Sequence, residues 1–339
     1  MYTYQEISEQ ANKMKDTYEI INKQKFKKES VDMHYFIGCG TSFYLAISAA
    51  KYFQSVTGQF ASAVPASEIF LNPDVYFTEN KTYKVVVISR SGTTSEAVAA
   101  LKFINKKTNT SSFAVTCFEE SPLAELADEV IALEHINEKS VVMTQSFTNM
   151  LYALQLYTTK LMDAKEDWTE LKEIPRLVGD LLLMQDSVKR FAAELTYRRF
   201  IYLGASYYNG LAKEVTLKLK EMTQTECESY SNLEFRHGPI SIVDDRTVVV
   251  VMSQKQTEDL DQDLVKDIQR LGGKVLALGP YSETFEADYT LTIGQEISDR
   301  NRLVLYVPLL QYLAYYRALR LGYDPDKPKN LSQVVELNL

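Results

Sequence analysis

The sequence predicts an α/β fold built from two similar units, each with a parallel sheet covered by helices. Short runs of β-branched and aromatic residues alternate with longer stretches of helical character, which is typical of parallel strands joined by helical crossovers. The same order of strand, turn and helix then occurs twice in the 339-residue chain. A chain of this length with 45% apolar residues is long enough to form two domains with their own cores.

The first half contains four predicted buried strands, over residues 34–38, 84–89, 112–117 and 128–133. Helices are predicted over 41–57 and 95–105, and a second series of strands over 199–203, 247–253, 274–278 and 289–293. Between the two series, residues 151–195 are helical in character, with an expected interruption at Pro175. We therefore predict an N-terminal helix in residues 1–29, a first unit over 30–165, a helical connector over 166–195 and a second unit over 196–339.

Matching turns follow the first two strands of each half. The first half has Gly38-Cys39-Gly40-Thr41-Ser42 and Ser89-Arg90-Ser91-Gly92-Thr93-Thr94, and the second has Gly204-Ala205-Ser206 and Ser253-Gln254-Lys255-Gln256-Thr257. From Gly38 to Ser89 is 51 positions, and from Gly204 to Ser253 is 49. Chance alternation of strands and helices can give similar spacings, but the matching turns favour a duplicated unit.

The turns of the first half predict a phosphate-binding site. Small residues let the backbone approach an anion, and the following helix N-terminus offers free N–H groups at the positive end of the helix dipole. Hydroxyl donors come from Ser42, Ser89, Ser91 and Thr94. Ordinary N-caps use the same residue types, but two such turns at the carboxyl ends of strands favour a ligand site. The second half has lost the glycine and carries Lys255, so we expect the site in the first half only.

The stretch 214–239 carries four groups suited to proton transfer. Glu214, Lys218 and Glu221 stand at i, i+4 and i+7 and therefore share one face of a helix. His237 follows in an Arg-His-Gly-Pro turn. A solvated helix with Glu–Lys pairs has the same pattern, whereas two carboxylates, an ammonium and an imidazole are also a typical acid–base set.

Composition narrows the classes of function. The net charge of −8 and the lack of a long basic run argue against a nucleic-acid partner, and the apolar runs are too short for a membrane span. The three cysteines are widely spaced without a CxxC pair, and there are only three histidines, so we expect neither a metal nor another cofactor. The first residues lack a secretion signal, so we expect a cytoplasmic protein.

Four blocks of the sequence resemble the sugar isomerase (SIS) domain family. They are Cys39-Gly40-Thr41-Ser42, Ser89-Arg90-Ser91-Gly92-Thr93-Thr94, the stretch 214–239 and Asp324-Pro-Asp-Lys-Pro-Lys-Asn-Leu331. The chain is similar, from about residue 30 onward, to the isomerase half of glucosamine-6-phosphate synthase and to aminosugar-phosphate deaminases and deglycases. The resemblance implies two flavodoxin-like three-layer units, a phosphosugar substrate and a homodimer with shared active sites.

The resemblance also implies roles for individual residues. The family's phosphate-binding positions are matched by Thr41, Ser42, Ser89, Arg90, Ser91 and Thr94. Arg90 replaces the usual glutamine, and we expect its guanidinium to strengthen dianion binding. Glu221 matches the carboxylate that moves a proton between sugar carbons C1 and C2, and His237 matches an imidazole that helps to open the ring in the neighbouring subunit's site. Glu214 and Lys218 match the groups that set the charge around that carboxylate, and Glu138 matches a glutamate near the sugar.

The function implied is an isomerase-type enzyme that releases an amine from a phosphosugar, most similar to a glucosamine-6-phosphate deaminase that forms fructose 6-phosphate and ammonia. We do not expect synthase activity, because Tyr2 stands where the synthase has a cysteine nucleophile and Gln333 where it has a lysine. The first unit also starts too early for a preceding glutaminase domain. A fructosamine-6-phosphate deglycase, a simple sugar-phosphate isomerase and a non-catalytic phosphosugar sensor are the alternatives.

Overall fold

The computed structural model describes residues 1–335 and 337, which form two compact units. The first unit comprises residues 9–175 together with the described residues from 332 onward. The second unit comprises residues 1–8 and 176–331. Each unit contains one five-stranded parallel sheet with helices packed on it.

The helices and strands follow one another along the chain in the following order. The elements that begin in the first half are α1 (Tyr2–Ser8), α2 (Gln10–Lys23), β1 (Met33–Gly38), α3 (Thr41–Thr57), β2 (Ala61–Pro65), α4 (Ala66–Leu71), α5 (Pro73–Tyr76), β3 (Tyr83–Ile88), α6 (Ser95–Ile104), β4 (Thr110–Thr116), α7 (Pro122–Leu126), β5 (Glu129–Ala132), α8 (Gln145–Leu161) and α9 (Lys165–Leu182). The remaining elements are α10 (Gln185–Ala193), β6 (Arg199–Gly204), α11 (Tyr208–Thr223), β7 (Cys227–Tyr230), β8 (Thr247–Met252), α12 (Glu258–Arg270), β9 (Lys274–Gly279), β10 (Tyr289–Thr292) and α13 (Val307–Arg320).

Both sheets have the same strand order. The first sheet runs β2-β1-β3-β4-β5, and the second runs β7-β6-β8-β9-β10 when read from the corresponding edge. Every strand pair is parallel, with Tyr35 opposite Val85 in the first sheet and Ile201 opposite Val249 in the second. The flavodoxin-like order in each unit confirms the predicted fold class.

The central strands are the most deeply buried parts of each unit. All six residues of β3 and all six of β8 are buried, as expected for strands covered by helices on both faces. Val85 and Val87 join one core cluster with Leu101 of α6, and Val249 joins the equivalent cluster with Leu264 of α12. Burying each of these side chains stabilises the fold by about 1.5–3 kcal/mol.

The predicted strands agree with the structure to within one or two residues, but three details differ. The edge strands β2 and β7 were not predicted. The N-terminal segment contains two helices, α1 and α2. The interruption at Pro175 is wrong, because α9 continues through this residue. Proline cannot bond to the carbonyl four residues earlier, and here that carbonyl, of Leu171, accepts a 2.7 Å hydrogen bond from the Tyr152 hydroxyl instead.

Candidate active site

The turn after β1 brings the backbone of the strand end and of α3 into close contact. A Cβ atom on Gly38 would lie 2.6 Å from the carbonyl carbon of Ser42, so only glycine fits there. Gly40 has a φ of 53° and is the N-cap of α3, a conformation that glycine adopts without strain. The side chains of Thr41 and Ser42 are buried at the start of the helix. This turn therefore presents the α3 N-terminus at the carboxyl edge of the first sheet.

The turn after β3 is held by its own hydroxyl groups. The hydroxyl oxygens of Ser89 and Thr94 lie 3.0 Å apart, and the Gly92 N–H donates to Ser89 Oγ at 3.2 Å. Gly92 has a φ of 65°, and a Cβ on it would lie 2.1 Å from Ser121 Oγ. The Thr93 hydroxyl donates to Ser91 Oγ at 2.9 Å. The close packing against Ser121 therefore requires the glycine, and the hydrogen bonds of the hydroxyls stabilise the loop.

The two turns lie side by side because β1 and β3 are neighbours in the sheet. Thr94, the N-cap of α6, makes no side-chain capping bond, and the N-cap of α3 is a glycine. Side-chain caps therefore do not occupy the first N–H groups of either helix. Two helix N-termini with nearby hydroxyls form an arrangement that can bind an anion. Of the predicted phosphate ligands, Thr41, Ser42, Ser89, Ser91 and Thr94 all lie in these two turns.

The Arg90 side chain makes its hydrogen bonds to residues outside the two turns. Its Nη1 donates to the Glu138 carboxylate at 2.8 Å and to the Ser140 carbonyl at 3.3 Å. Its Nη2 donates to the carbonyls of Val141 at 3.3 Å and Gln333 at 3.1 Å. The guanidinium is only 8% exposed, so its terminal nitrogens are bonded inside the first unit.

The Glu138 carboxylate is almost fully buried and lies at the N-terminus of α8. It accepts hydrogen bonds from the backbone N–H groups of Thr144 at 2.7 Å and Ser146 at 3.2 Å, and from both hydroxyls of these residues. A carboxylate at this position satisfies free N–H groups and complements the helix dipole. Glu138 therefore neutralises Arg90 and caps α8, a pairing across 48 positions that no local sequence pattern predicted.

A cavity of about 100 Å³ opens next to Arg90. It is lined by Arg90, Ser91, Phe118, Ile136, Glu138, Gln333 and Val334. Gln333 and Val334 of the C-terminal segment thus form one wall. The Gln333 side chain also donates a hydrogen bond to the Glu138 carbonyl at 3.3 Å.

In the second unit, α11 carries the predicted proton-transfer groups on one face. Lys218 Nζ lies 3.4 Å from Glu214 Oε1 and 2.6 Å from Glu221 Oε2. The Glu214 and Lys218 side chains are fully buried, whereas that of Glu221 is 17% exposed. Burial excludes the solvated Glu–Lys helix considered from the sequence. Within this trio, only the Glu221 carboxylate reaches the surface of the unit.

His237 stands on a loop that is firmly held on both sides. Phe235 is fully buried, and Arg236 Nε donates to Asp267 Oδ2 at 2.9 Å. Asn232 donates to Asp261 Oδ1 at 2.9 Å. The His237 side chain itself is exposed. The loop therefore presents the imidazole to solvent on a fixed backbone.

In the second unit, the corresponding turn is residues 253–257, after β8. Side chains of the same unit make hydrogen bonds to it. The fully buried Ser253 accepts a 2.9 Å hydrogen bond from the Tyr281 hydroxyl. The Lys255 N–H donates to the Asp299 carboxylate at 3.0 Å, and Thr257 donates to the buried Asp261 at 2.7 Å. Burial raises the pKa of the Asp261 carboxyl, which its hydrogen bonds partly offset. The carboxylates of Asp299 and Asp261 therefore accept hydrogen bonds from donors that would otherwise be available to an anionic ligand.

The comparison with protein-family models gives two matches to the SIS domain, over residues 30–160 and 196–301. The chain belongs to the SIS domain family. The matches fall on the two parallel-sheet units and confirm the relationship expected from the sequence blocks. Both candidate regions, the paired turns after β1 and β3 and the face of α11 that carries Glu214, Lys218 and Glu221, lie within the matched residues.

Individual relatives include enzymes of aminosugar and phosphosugar metabolism. The isomerizing glutamine–fructose-6-phosphate aminotransferase of Caldanaerobacter subterraneus subsp. tengcongensis is 28% identical over 98% of this chain and 58% of that protein. Glucosamine-6-phosphate deaminase of Thermotoga maritima is 28% identical, with a TM-score of 0.85 over 99% of this chain and 100% of that one. Tagatose-6-phosphate ketose/aldose isomerase of Escherichia coli, at 24% identity and a TM-score of 0.79 over 98% and 96% of the two chains, shares the fold.

The chain spans about half the length of the curated aminotransferases that it matches. No helix within residues 1–335 is long and apolar enough to cross a membrane. In the same part of the chain, no three His, Cys, Asp or Glu side chains are grouped so that they could hold a metal ion.

Proposed function

We propose that this protein is an isomerase-type enzyme that acts on an aminosugar phosphate and releases ammonia, as a glucosamine-6-phosphate deaminase does. The observation that carries the proposal is the trio on α11. A buried ammonium lies between a buried carboxylate and the more accessible carboxylate of Glu221. Such a set keeps one base in a fixed, charge-balanced position, which is what a proton shuttle between two carbons requires.

The remaining groups fit the same chemistry. The paired helix N-termini after β1 and β3 bind the phosphate, and the binding free energy anchors the sugar for reaction. His237 moves a proton on the ring oxygen, so that the ring opens. Glu221 then takes a proton from one of the carbons C1 and C2 and returns it to the other through an enolamine. With glucosamine 6-phosphate this places an imine at C2, and water releases ammonia and fructose 6-phosphate.

The solved deaminase of Thermotoga maritima supports this choice, because it is similar along the full length of both chains. A fructosamine-6-phosphate deglycase would use the same shuttle with the imine at C1. A simple isomerase would stop before the amine is lost, and a sensor would bind phosphosugar without turnover. We also propose that the enzyme is a homodimer in which the exposed His237 completes the site of the partner chain.

The proposal is tested by incubating the purified protein with glucosamine 6-phosphate, fructose 6-phosphate and a fructosamine 6-phosphate, and measuring ammonia and free amine. Ammonia from glucosamine 6-phosphate alone is the expected result. Glu221→Gln keeps the shape but removes the base, so kcat should fall at least about a hundredfold, because positioned bases contribute about 10²–10⁴. Normal exchange of the C2 proton with solvent in this variant would refute the role of Glu221.

A further inference from the structure

The Arg90 guanidinium has little capacity left for a ligand. A guanidinium has four N–H donors on its two terminal nitrogens and a fifth on Nε. The terminal nitrogens make four hydrogen bonds, to the Glu138 carboxylate and to the carbonyls of Ser140, Val141 and Gln333. A bidentate grip on phosphate, through both terminal nitrogens or through Nε and one of them, would require at least one of these bonds to break, so the geometry disagrees with the role expected from the sequence.

Charge leads to the same conclusion. Arg90 and Glu138 form a buried ion pair, with side chains 8% and 1% exposed. The pair is neutral as a whole, so Arg90 adds little long-range attraction for a dianion. Breaking the pair to bind phosphate would leave the Glu138 carboxylate buried beside a second negative charge, which is strongly unfavourable.

The contacts of Arg90 instead connect the turn after β3, residues 89–94 (the phosphate turn), with the C-terminal segment that contains Gln333. The Arg90 carbonyl accepts hydrogen bonds from the Cys117 N–H at 3.0 Å and the Thr116 hydroxyl at 3.2 Å, so its backbone is fixed on β4. Its side chain then holds the Gln333 carbonyl. Further along, the Leu337 N–H donates to the hydroxyl of Ser95, the first residue of α6, at 2.9 Å. The segment is thus held beside the N-terminus of α6, one of the two helix N-termini that form the candidate anion site.

We propose that Arg90 is a positioning residue and not a phosphate ligand: it holds the C-terminal segment around Gln333 against the phosphate turn. The proposal rests on the proposed function only for the identity of the substrate. In this arrangement the neutral donors of the two turns bind the phosphate, and Arg90 fixes the wall that closes the cavity next to Ser91. Loss of Arg90 should therefore impair turnover more than phosphate binding.

The test compares Arg90→Gln and Arg90→Lys with Ser91→Ala and with Arg246→Gln, which removes a 63% exposed arginine of the second unit. The affinity for inorganic phosphate is measured by calorimetry, and hydrogen exchange is followed at the amides of residues 333–335 and 337. For Arg90→Gln we expect exchange of these amides faster by at least about tenfold, since the anchoring bonds of the segment are lost. For Arg90→Lys, which keeps a positive charge beside Glu138, we expect phosphate affinity within about threefold of wild type. Ser91→Ala should show the opposite pattern, and Arg246→Gln should change neither quantity.

Arg90→Lys separates positioning from simple loss of charge. Lysine can pair with Glu138 as a point charge but cannot also reach the carbonyls of Val141 and Gln333 in a fork. We therefore expect near-normal thermal stability, fast exchange of the segment and a kcat lowered at least about tenfold with KM changed less than about threefold. A loss of phosphate affinity in Arg90→Lys as large as in Ser91→Ala overturns the proposal, as does unchanged exchange of the segment. The exchange measurement decides the point even if glucosamine 6-phosphate is not the substrate, because it needs no turnover.

Discussion

The buried pair of Arg90 and Glu138 predicts a large and specific loss of stability when one partner is removed. In Glu138→Ala, the Arg90 charge stays in a site that is only 8% exposed, and the N–H groups of Thr144 and Ser146 lose their acceptor. Removing one partner of a buried ion pair costs about 3–5 kcal/mol. We therefore expect the free energy of unfolding of the first unit to fall by that amount.

The chain's single tryptophan makes this measurement specific to the first unit. Trp168 lies in the part of α9 that belongs to this unit and contacts Tyr18 at a ring distance of 5.2 Å. Urea unfolding followed by tryptophan fluorescence therefore reports on the unit that contains Glu138. The matched control is Glu19→Ala, which removes an exposed carboxylate of α2 in the same unit. That change should cost less than about 1 kcal/mol.

A double variant separates the ion pair from the loss of contacts in general. Replacing a buried pair by apolar residues of similar size is often neutral or stabilising. We expect Glu138→Leu combined with Arg90→Met to be more stable than Glu138→Leu alone. If Glu138→Ala costs no more than Glu19→Ala, or if the double variant simply adds the two losses, the pair is not the buried electrostatic unit described above.

Three further predictions concern the phosphate turn, acid stability and assembly. Ser91→Ala should raise KM for the sugar phosphate at least about tenfold, since a hydrogen bond to a charged group contributes about 1.5–3 kcal/mol; Thr257→Ala should leave KM nearly unchanged, and steady-state kinetics of both variants check this. Burial lowers the pKa of His34 to about 4, below the value of 6.5 expected when unfolded. The unfolded chain therefore binds the proton first, and stability falls as the pH drops from 6.5 to 4. His34→Phe should remove roughly 2 kcal/mol of that loss in urea unfolding at the two pH values. Inactive Glu221→Gln and His237→Ala proteins should recover about a quarter of wild-type activity when mixed, if each dimer shares its sites; no recovery after subunit exchange would show that His237 does not act across a dimer.

The sequence was sufficient for the central strands but not for the two edge strands. The strands β3 and β8 each contain a run of three or four consecutive valines and are buried on both faces, so composition alone locates them. The missed strands are β2, with the sequence Ala-Ser-Ala-Val-Pro, and β7, with Cys-Glu-Ser-Tyr. Both are short, pair with one neighbour and occupy the same edge position of their sheets. Their pairing depends on the adjacent strand and not on their own β-propensity.

Part of the candidate site could likewise be predicted from the sequence, and part could not. Spacing along one helix placed Glu214, Lys218 and Glu221 together, because the period of the helix fixes such contacts locally. The role of Arg90 could not be derived in that way, since its partners lie about 50 and 243 positions further along the chain. An isolated arginine in a hydroxyl-rich turn suggests a phosphate ligand. Only the three-dimensional structure shows that the Arg90 guanidinium is already paired with the buried carboxylate of Glu138.

The two units share the turn after the central strand of the sheet but differ in its residues. Both place a turn after the central strand, but Gly92 in the first unit is replaced by Gln256 in the second. In the first unit the turn leaves the α6 N-terminus without a side-chain cap, and in the second the Asp299 carboxylate accepts the Lys255 N–H. An internal carboxylate satisfies the same donors that a phosphate would, at no cost in binding entropy. The second unit is therefore stabilised without a ligand, whereas the first leaves the α6 N-terminus without a side-chain cap, which is what the proposed phosphate site requires.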